Sequence, residues 1–320
     1  MEEARLNIVD RIHAKNRDAI ELGPNGRMIR HYFPSRRRCS ERILKELGVD
    51  PGYRVGNEYY QFFNETVKVG DDELPLRLRN VTPPQGVHWI GWSDGAFFDP
   101  MSSDLFEESL ARVGVELKPG MDVVDFGCSS GRTVRTLWAA FPDVKWHGID
   151  PVESSIEYAR ATFPGISFVL NDFQPPLPGV KEASYDAGCA FSIWSHFDAS
   201  LAKDWLAEMA RVFRPGGVFV VSVHGYGDVV QRVRLPPGQH IAMSPDFAET
   251  VLNALDREGF FFDTTLMPEK RTVIKGEPQW GSTWIAPNWM RQAASECGWT
   301  VVDVTYGRWG HRQDLFVLRR

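Results

Sequence analysis

The chain has 320 residues, of which 43% are hydrophobic, and it carries a formal net charge of −6. This length fits one core domain with accessory segments, and the net charge disfavours a nucleic-acid partner, which needs clustered lysine and arginine. The four cysteines are scattered without metal-ligand spacing, and the sequence contains neither a signal-peptide pattern nor an apolar run of membrane-spanning length. We therefore predict a cytoplasmic protein with reduced thiols and no membrane span.

The first third of the chain predicts accessory structure ahead of the core. The basic run Arg36–Arg38 begins a predicted helix, and we interpret it as the solvated start of that helix, with anion binding as the alternative. Loose alternation over residues 65–81 predicts a hairpin, and residues 103–113 predict a helix that leads into the core. We assign residues 1–118 to an N-terminal accessory region.

A strand, a tight turn and a helix start follow one another over residues 123–132. The small residues Gly127, Ser129 and Gly131 let the backbone approach a ligand, and the helix N-terminus offers unpaired N–H groups. A dinucleotide fold has glycine where the strand ends, to accommodate a pyrophosphate. Here the strand ends near Asp125, and a carboxylate favours a cationic group, such as the amino group of an amino-acid-like cofactor.

Two further predicted strands also end in acidic residues. Lys145–Ile149 is followed by Asp150, and Ile166–Leu170 is followed by Asp172. A carboxylate at the end of the second strand can accept hydrogen bonds from both ribose hydroxyls of a nucleoside. Each acid alone is typical of a helix cap or a turn. Three acids that end three successive strands are hard to explain in that way.

Two more strands with a helix between them complete the pattern. The fourth strand is predicted at Tyr185–Phe191 and the fifth at Val218–Val223, with a helix over Ser200–Phe213. The turn that joins this helix to the fifth strand reads Arg-Pro-Gly-Gly over residues 214–217. Strands that alternate with helices predict a parallel sheet in an α/β fold.

Residues 119–224 resemble, without a gap, the cofactor-binding core of class I S-adenosylmethionine (SAM) methyltransferases. The first motif of that family is Asp/Glu-x-Gly-x-Gly-x-Gly. Asp125, Gly127 and Gly131 match it, and Ser129 replaces the middle glycine. The Arg-Pro-Gly-Gly turn before the fifth strand is a second hallmark of the family.

The resemblance implies SAM as the cofactor. It also implies a Rossmann-like α/β fold with a seven-stranded sheet and an antiparallel last strand, over residues 119–320. By the same resemblance, Asp172 accepts a hydrogen bond from the adenine amino group and Phe173 covers the ring. The predicted cofactor-binding residues are Asp125, Gly127, Ser129, Gly131, Asp150, Asp172, Phe173 and Ser192.

An insertion, Gly225–Ala286, separates the fifth strand from the helix expected after it. Long insertions between elements are commonly functional lids. This one contains a predicted helix at Pro245–Glu258 and two tryptophans, Trp280 and Trp284, whose faces suit sugar or ring acceptors. We predict that it forms an acceptor-binding cap. The elements predicted after it are a helix at Pro287–Cys297 and strands at Trp299–Thr305 and Gln313–Leu318.

Three histidines are candidates for a catalytic base. Methyl transfer to an alcohol needs alignment, exclusion of water and removal of a proton. His196 and His224 follow the fourth and fifth strands, and His311 precedes the last strand. We predict that all three converge on one cleft, although each could instead satisfy a backbone group. No grouping of histidine, cysteine and acids has metal-ligand spacing, so we predict a metal-independent reaction.

The leading functional hypothesis is a SAM-dependent methyltransferase that methylates a sugar hydroxyl of a glycan or glycosylated metabolite. The segments around the three histidines resemble a bacterial methyltransferase subgroup often associated with surface-glycan or secondary-metabolite genes. O-, N- or C-methylation of a small natural product remains an alternative, as does a SAM-binding protein without transfer activity. A dinucleotide oxidoreductase is a fourth possibility. Asp125 argues against it, because that class has a glycine there to accommodate the pyrophosphate.

Overall fold

The computed structural model describes residues 6–8, 10–11, 33–67, 73–87, 98–239, 241–265, 278–310 and 312–320. Its longer helices are α1 (Arg38–Glu46), α2 (Gly56–Val67), α3 (Pro100–Arg112), α4 (Arg132–Ala140), α5 (Glu153–Thr162), α6 (Ala199–Val212), α7 (Tyr226–Arg234), α8 (Pro245–Glu258) and α9 (Pro287–Glu296). Its strands are β1 (Asp122–Phe126), β2 (Lys145–Asp150), β3 (Ile166–Leu170), β4 (Tyr185–Ala190), β5 (Phe213–His224), β6 (Phe260–Asp263), β7 (Ser282–Ile285), β8 (Thr300–Trp309) and β9 (Gln313–Arg319).

The chain divides into two compact units, which we name after a strand that each contains. The β1 unit comprises Phe33–Ala190, Glu208–Val220 and Arg319–Arg320, and the β7 unit comprises Met1–Tyr32, Phe191–Ala207 and Val221–Leu318. This division does not follow a boundary at residue 118. The assignment of residues 1–118 to an accessory region and of 225–286 to an acceptor cap stays a prediction.

The β1 unit contains the parallel part of the fold. Its strands follow the order β3-β2-β1-β4-β5. β1 pairs in parallel with β2, with Asp125 opposite Gly148, and in parallel with β4, with Val124 opposite Gly188. The order, with β1 between β2 and β4, is that of a Rossmann-like α/β fold, as the sequence predicts.

The β7 unit contains more strands than the sequence predicts. The inserted segment contributes β6 and β7, so the described residues contain nine strands and not seven. β7 pairs in parallel with the end of β5, where Trp284 lies opposite His224, and β6 pairs antiparallel with β7. β9 pairs with both β5 and β8. The insertion therefore extends the sheet pairing in addition to contributing helices.

Apolar side chains from α7, α8 and β7 form a core of the β7 unit. Helix α8 has the predicted bounds because each end carries a local signal. The side chain of Ser244 accepts a hydrogen bond from the N–H of Phe247, and Gly259 ends the helix in a left-handed conformation at φ 74°. Members of this core include Val229, Val233, Val251, Leu252, Leu255 and Trp284, and Ile8 packs with them.

The hairpin predicted for the first third of the chain is wrong. No hairpin forms over the described part of residues 65–81, because α2 continues to Val67 and residues 73–81 form turns. Residues 68–72 lie outside the described ranges. The helical face of α2 buries Tyr59, Tyr60, Phe63 and Val67, and this spacing suits a helix better than a strand.

The basic run before α1 is also not simply solvated. Arg36 and Arg38 both pair with the buried carboxylate of Glu107, at 3.1 and 3.2 Å. Asp104, also on α3, accepts hydrogen bonds from the backbone N–H groups of Cys39 and Ser40 at 2.9 and 3.0 Å. Glu107 therefore pairs with two of the arginines and Asp104 satisfies the first N–H groups of α1, while an anion-binding role for the run stays an untested alternative.

None of the helices in the described ranges combines the length and apolar character needed to cross a bilayer.

Candidate functional site

The turn between β1 and α4 has the conformation that close approach of a ligand requires. Gly127, Ser129 and Gly131 have φ values of 80°, 50° and 92°, all in the left-handed region. Glycine adopts this region at little cost, whereas a serine there is sterically less favourable. The N–H groups of Gly127 and Cys128 donate to the carbonyl of Ile149 at 2.8 and 3.0 Å, which ties the turn to the end of β2.

Asp150, at the end of β2, holds this turn through backbone hydrogen bonds. Its Oδ2 accepts from the N–H of Ser129 at 2.7 Å, and its Oδ1 accepts from the N–H of Val152 at 2.9 Å. Burial raises the pKa of this carboxyl to about 6, although both hydrogen bonds favour the ionised form. Each oxygen keeps a second lone pair, so Asp150 can accept ribose hydroxyls and stabilise the turn at once.

Asp125 is a buried carboxylate with one unsatisfied oxygen. Its Oδ1 accepts a weak hydrogen bond from the thiol of Cys189, with 3.7 Å between sulfur and oxygen. Its Oδ2 has no hydrogen-bond partner among the described residues. Burial raises the pKa of the Asp125 carboxyl to about 7. A buried acceptor without a partner fits a cationic ligand group, as the sequence predicts for this position.

The end of β3 offers further polar groups. The side chain of Asn171 donates to the backbone carbonyl of Asp172 at 2.6 Å, and its own Oδ1 has no hydrogen-bond partner among the described residues. Asp172 is exposed and Phe173 is half-buried. Both are accessible to a ligand, and their predicted contacts with an adenine stay predictions.

In the β7 unit, His224 is held by hydrogen bonds on both ring nitrogens. Nδ1 lies 3.2 Å from the carbonyl oxygen of Thr283, and Nε2 lies 3.2 Å from Nε2 of Gln313 and 3.4 Å from Nη2 of Arg232. A carbonyl only accepts and a guanidinium only donates, so Nδ1 carries the proton and Nε2 accepts. Burial lowers the pKa of His224 to about 4, so the ring is neutral at neutral pH.

Gln313 connects His224 to two serines in one buried hydrogen-bonded chain. The N–H of Ser192 donates to Oγ of Ser222 at 2.6 Å, so the Ser222 hydroxyl donates to Oε1 of Gln313 at 2.7 Å. The amide of Gln313 in turn donates to Oγ of Ser192 at 2.8 Å. Ser192 thus has its hydrogen bonds within the β7 unit, and its predicted role in cofactor binding stays a prediction.

His196 lies beside His224 but has different partners. The two ring centroids are 6.4 Å apart, and the ring of His196 stacks on Trp280 at 4.7 Å. Nδ1 of His196 lies 2.8 Å from the carbonyl oxygen of Gly281. This carbonyl fixes the proton on Nδ1, so the lone pair of the neutral ring is on Nε2. Two of the three predicted histidines are therefore close together, and His311 lies outside the described residues.

Trp284 is a structural residue and not an acceptor-facing aromatic. It is completely buried, and its Nε1–H donates to Oδ2 of Asp228 at 2.8 Å. Asp228 also pairs with Arg232 at 2.6 Å and faces Arg312 at 3.7 Å. Burial alone would raise the pKa of Asp228, but His224, Arg232 and Arg312 outweigh it and lower the pKa below its ordinary value.

Asp228, Arg232 and Gln313 are not among the site residues predicted from the sequence. The (i, i+4) spacing of Asp228 and Arg232 is a helical ion-pair signal that could have pointed to them. Asp198 caps α6 by accepting from the N–H of Leu201 at 2.8 Å. No group of three or more His, Cys, Asp or Glu side chains in the described ranges is arranged to hold a metal ion.

The β7 unit also contains an open cleft of about 660 Å³. Polar side chains, among them Asp198, Asn253 and Arg257, line it together with Phe261 and Phe262. Its volume is within the range typical of small-molecule sites.

Residues 123–217 match the model of a family described as "Methyltransferase domain". Trans-aconitate 2-methyltransferase of Acidovorax ebreus is 30% identical over 132 residues, which are 39% of this chain and 49% of that protein. Fatty-acid O-methyltransferase of Mycolicibacterium smegmatis is 27% identical over 237 residues, 72% of this chain and 77% of that protein. The chain thus spans about half the length of the trans-aconitate relative.

Among solved structures, an S-adenosylmethionine-dependent methyltransferase from Mesorhizobium loti has a TM-score of 0.45 and 17% identity, with 67% of this chain and 97% of that chain covered. The class of protein follows from the strand order, the turn after β1 and the family match. The chain has a Rossmann-like methyltransferase fold. More particularly, residues 123–217 match the model of a methyltransferase domain, and SAM is the cofactor that this match supports. The buried, unsatisfied Oδ2 of Asp125 fits the amino group of that cofactor.

Proposed function

We propose that this protein is a SAM-dependent methyltransferase that methylates a hydroxyl oxygen, with His196 as the base. When bound, SAM supplies an electrophilic methyl group on a sulfonium. The residues of the β1 unit bind and orient it. Asp125 receives the amino group, and Asp150 accepts from the ribose while it holds the turn after β1. A hydroxyl acceptor also has to lose a proton, and we assign its removal to His196.

The observation that carries the assignment of the base is the hydrogen bond from His196 Nδ1 to the carbonyl of Gly281, at 2.8 Å. It fixes the tautomer in which Nε2 has the lone pair, and stacking on Trp280 fixes the plane of the ring. A histidine oriented in this way can take a proton from an alcohol as the methyl group is transferred.

His224 is the weaker candidate for the base. Its Nε2 already accepts from Gln313 and Arg232, and its pKa of about 4 makes it a poor proton acceptor at neutral pH. We assign it a positioning role, in which it connects the Gln313 chain to β7 through the carbonyl of Thr283.

For the acceptor we propose a sugar hydroxyl of a glycan or glycosylated metabolite, as the resemblance to the glycan-associated subgroup implies. The cleft of about 660 Å³ supports this class, because polar side chains and phenylalanine rings together suit the hydroxyls and C–H faces of a sugar. The names of the two relatives favour a second candidate class, small carboxylic acids, since one is named for trans-aconitate and the other for fatty acids.

The test is turnover by a matched pair of histidine variants, measured as S-adenosylhomocysteine released from SAM with a panel of glycosides and carboxylic acids. His196→Asn keeps a donor for the Gly281 carbonyl but removes Nε2. With a hydroxyl acceptor it should lower turnover by about 10²–10⁴-fold while SAM affinity is unchanged. His147→Asn, on β2, is the control and should leave turnover unchanged.

Normal turnover of His196→Asn would exclude it as the base. Saturable SAM binding without transfer to any acceptor in the panel would favour the non-catalytic alternative.

A further inference from the structure

We propose that Arg312 and Arg232, arranged around Asp228, form an anion-binding site for a carboxylate group of the acceptor. This inference rests on the proposed function, because it assigns the site to the acceptor of the methyl transfer. The acceptor would then carry a negatively charged carboxylate in addition to the hydroxyl that is methylated.

Two guanidinium groups share the carboxylate of Asp228. Asp228 is completely buried, and its Oδ2 receives the indole N–H of Trp284 and the close ion pair with Arg232. Arg312 reaches only to 3.7 Å from the other oxygen, Oδ1. Neither that oxygen nor Nη1 of Arg312 has a hydrogen-bond partner among the described residues. Arg232 is thus well paired, and Arg312 is only loosely paired.

The positive and negative charges around Asp228 do not balance. His224 is neutral, because its Nδ1 donates to a carbonyl and its Nε2 faces the two donors from Gln313 and Arg232. Asp314 is the other acid close by, and it is buried with a single backbone donor, the N–H of Gly307, at 2.7 Å. Burial raises the pKa of Asp314 to about 7, so its charge is incomplete at neutral pH. Among the described groups that act on Asp228, two arginines against this one ionised carboxylate leave a cationic surplus.

This surplus is partly buried, with Nη1 of Arg312 itself buried and another part of the Arg312 side chain exposed to solvent. The side chain of Arg312 is 26% exposed, that of Arg232 is 12% exposed and that of Asp228 is not exposed at all. A partly buried charge without a full partner is unfavourable. An anion that reaches Arg312 from solvent removes this penalty, whereas a neutral hydroxyl does not. The planar guanidinium fork matches the two oxygens of a carboxylate, and the names of two relatives are those of carboxylic acids.

The experiment titrates the full chain with succinate, and with succinamide as the neutral control, at constant ionic strength. The readout is the NMR signal of the Trp284 indole N–H, which donates to Asp228. Succinate should shift this signal saturably and succinamide should not. Arg312→Gln should weaken succinate binding by about tenfold or more, since it removes a charge-assisted pair. Arg211→Gln, an arginine of α6 that pairs with Glu208, is the control and should bind like the unmodified protein.

Equal shifts with succinate and succinamide, or unchanged succinate binding by Arg312→Gln, would overturn the proposal. If Arg312→Gln does not fold, Arg312→Lys takes its place. It keeps the charge but loses the fork, so we expect weaker succinate binding than in the unmodified protein, and equal binding would overturn the proposal. Because this readout needs no turnover, its failure leaves the proposed methyl transfer intact. Loss of turnover by His196→Asn, in turn, says nothing about succinate binding.

Discussion

Asp150 in the β1 unit and Asp228 in the β7 unit are both buried carboxylates, but their partners differ in kind. Backbone N–H groups from the turn after β1 and from the start of α5 bind Asp150. Side chains bind Asp228, namely the indole of Trp284 and the guanidinium of Arg232. A carboxylate bound by the backbone tolerates changes in neighbouring side chains. One bound by side chains depends on the identity of each partner.

The largest expected effect comes from removing a side chain that binds Asp228. Trp284→Ala removes a completely buried indole and the donor to Asp228, and it should lower the free energy of unfolding by about 3–5 kcal/mol. Trp284→Phe keeps most of the ring and removes only the donor, so it should cost about 1–3 kcal/mol. Denaturant unfolding measures both, and an unchanged free energy of unfolding in Trp284→Phe would mean that the Asp228 hydrogen bond contributes nothing.

The corresponding change at Asp150, the carboxylate bound by backbone groups, should weaken cofactor binding. Asp150→Ala removes the acceptor for the ribose and releases the N–H groups of Ser129 and Val152. Affinity for SAM should fall by about 1.5–3 kcal/mol in calorimetry. Asp143→Ala, an exposed acid in the same unit, serves as the control and should bind SAM normally. An unchanged dissociation constant for Asp150→Ala would place the ribose elsewhere.

The contrast between partners that are near and partners that are distant in sequence also explains which structural features the sequence predicts. The turn after β1, the acids after β2 and β3, and the bounds of α8 follow from signals within a few residues of one another. Asp150 is one example, since it ends the short apolar strand β2 and its partner Val152 lies two residues further on. Local spacing of small, acidic and capping residues is enough to specify such features.

The network around His224 could not be predicted in that way. Gln313 lies 89 residues from His224, and Trp284 lies 56 residues from Asp228. Strands β6 and β7 were missed for a related reason. Each has only four residues, too few for a periodic pattern, and they form because they pair with each other. Long-range pairing decides both features, and a single sequence has no local signal for it.

A smaller effect is expected on the pKa of His224 in the β7 unit. Gln313→Glu replaces an amide donor to Nε2 of His224 with a carboxylate of the same shape. The pKa of His224, about 4 in the unmodified protein, should rise by roughly 1–3 units, because an adjacent negative charge favours the protonated ring. NMR titration of the His224 ring protons measures this shift. An unchanged pKa would show that Gln313 does not face the ring in solution.

The most direct measurement of the central claim, that the β1 unit binds SAM through Asp125, is a calorimetric titration with SAM between pH 6 and pH 8. Burial raises the pKa of Asp125 to about 7, and only the ionised carboxylate attracts the amino group of the cofactor. Affinity should therefore fall as the pH drops through 7, by up to about tenfold per pH unit below it. Asp125→Asn should bind weakly with little pH dependence. Affinity that is constant across this range in the unmodified protein, or equal in Asp125→Asn, would contradict the account.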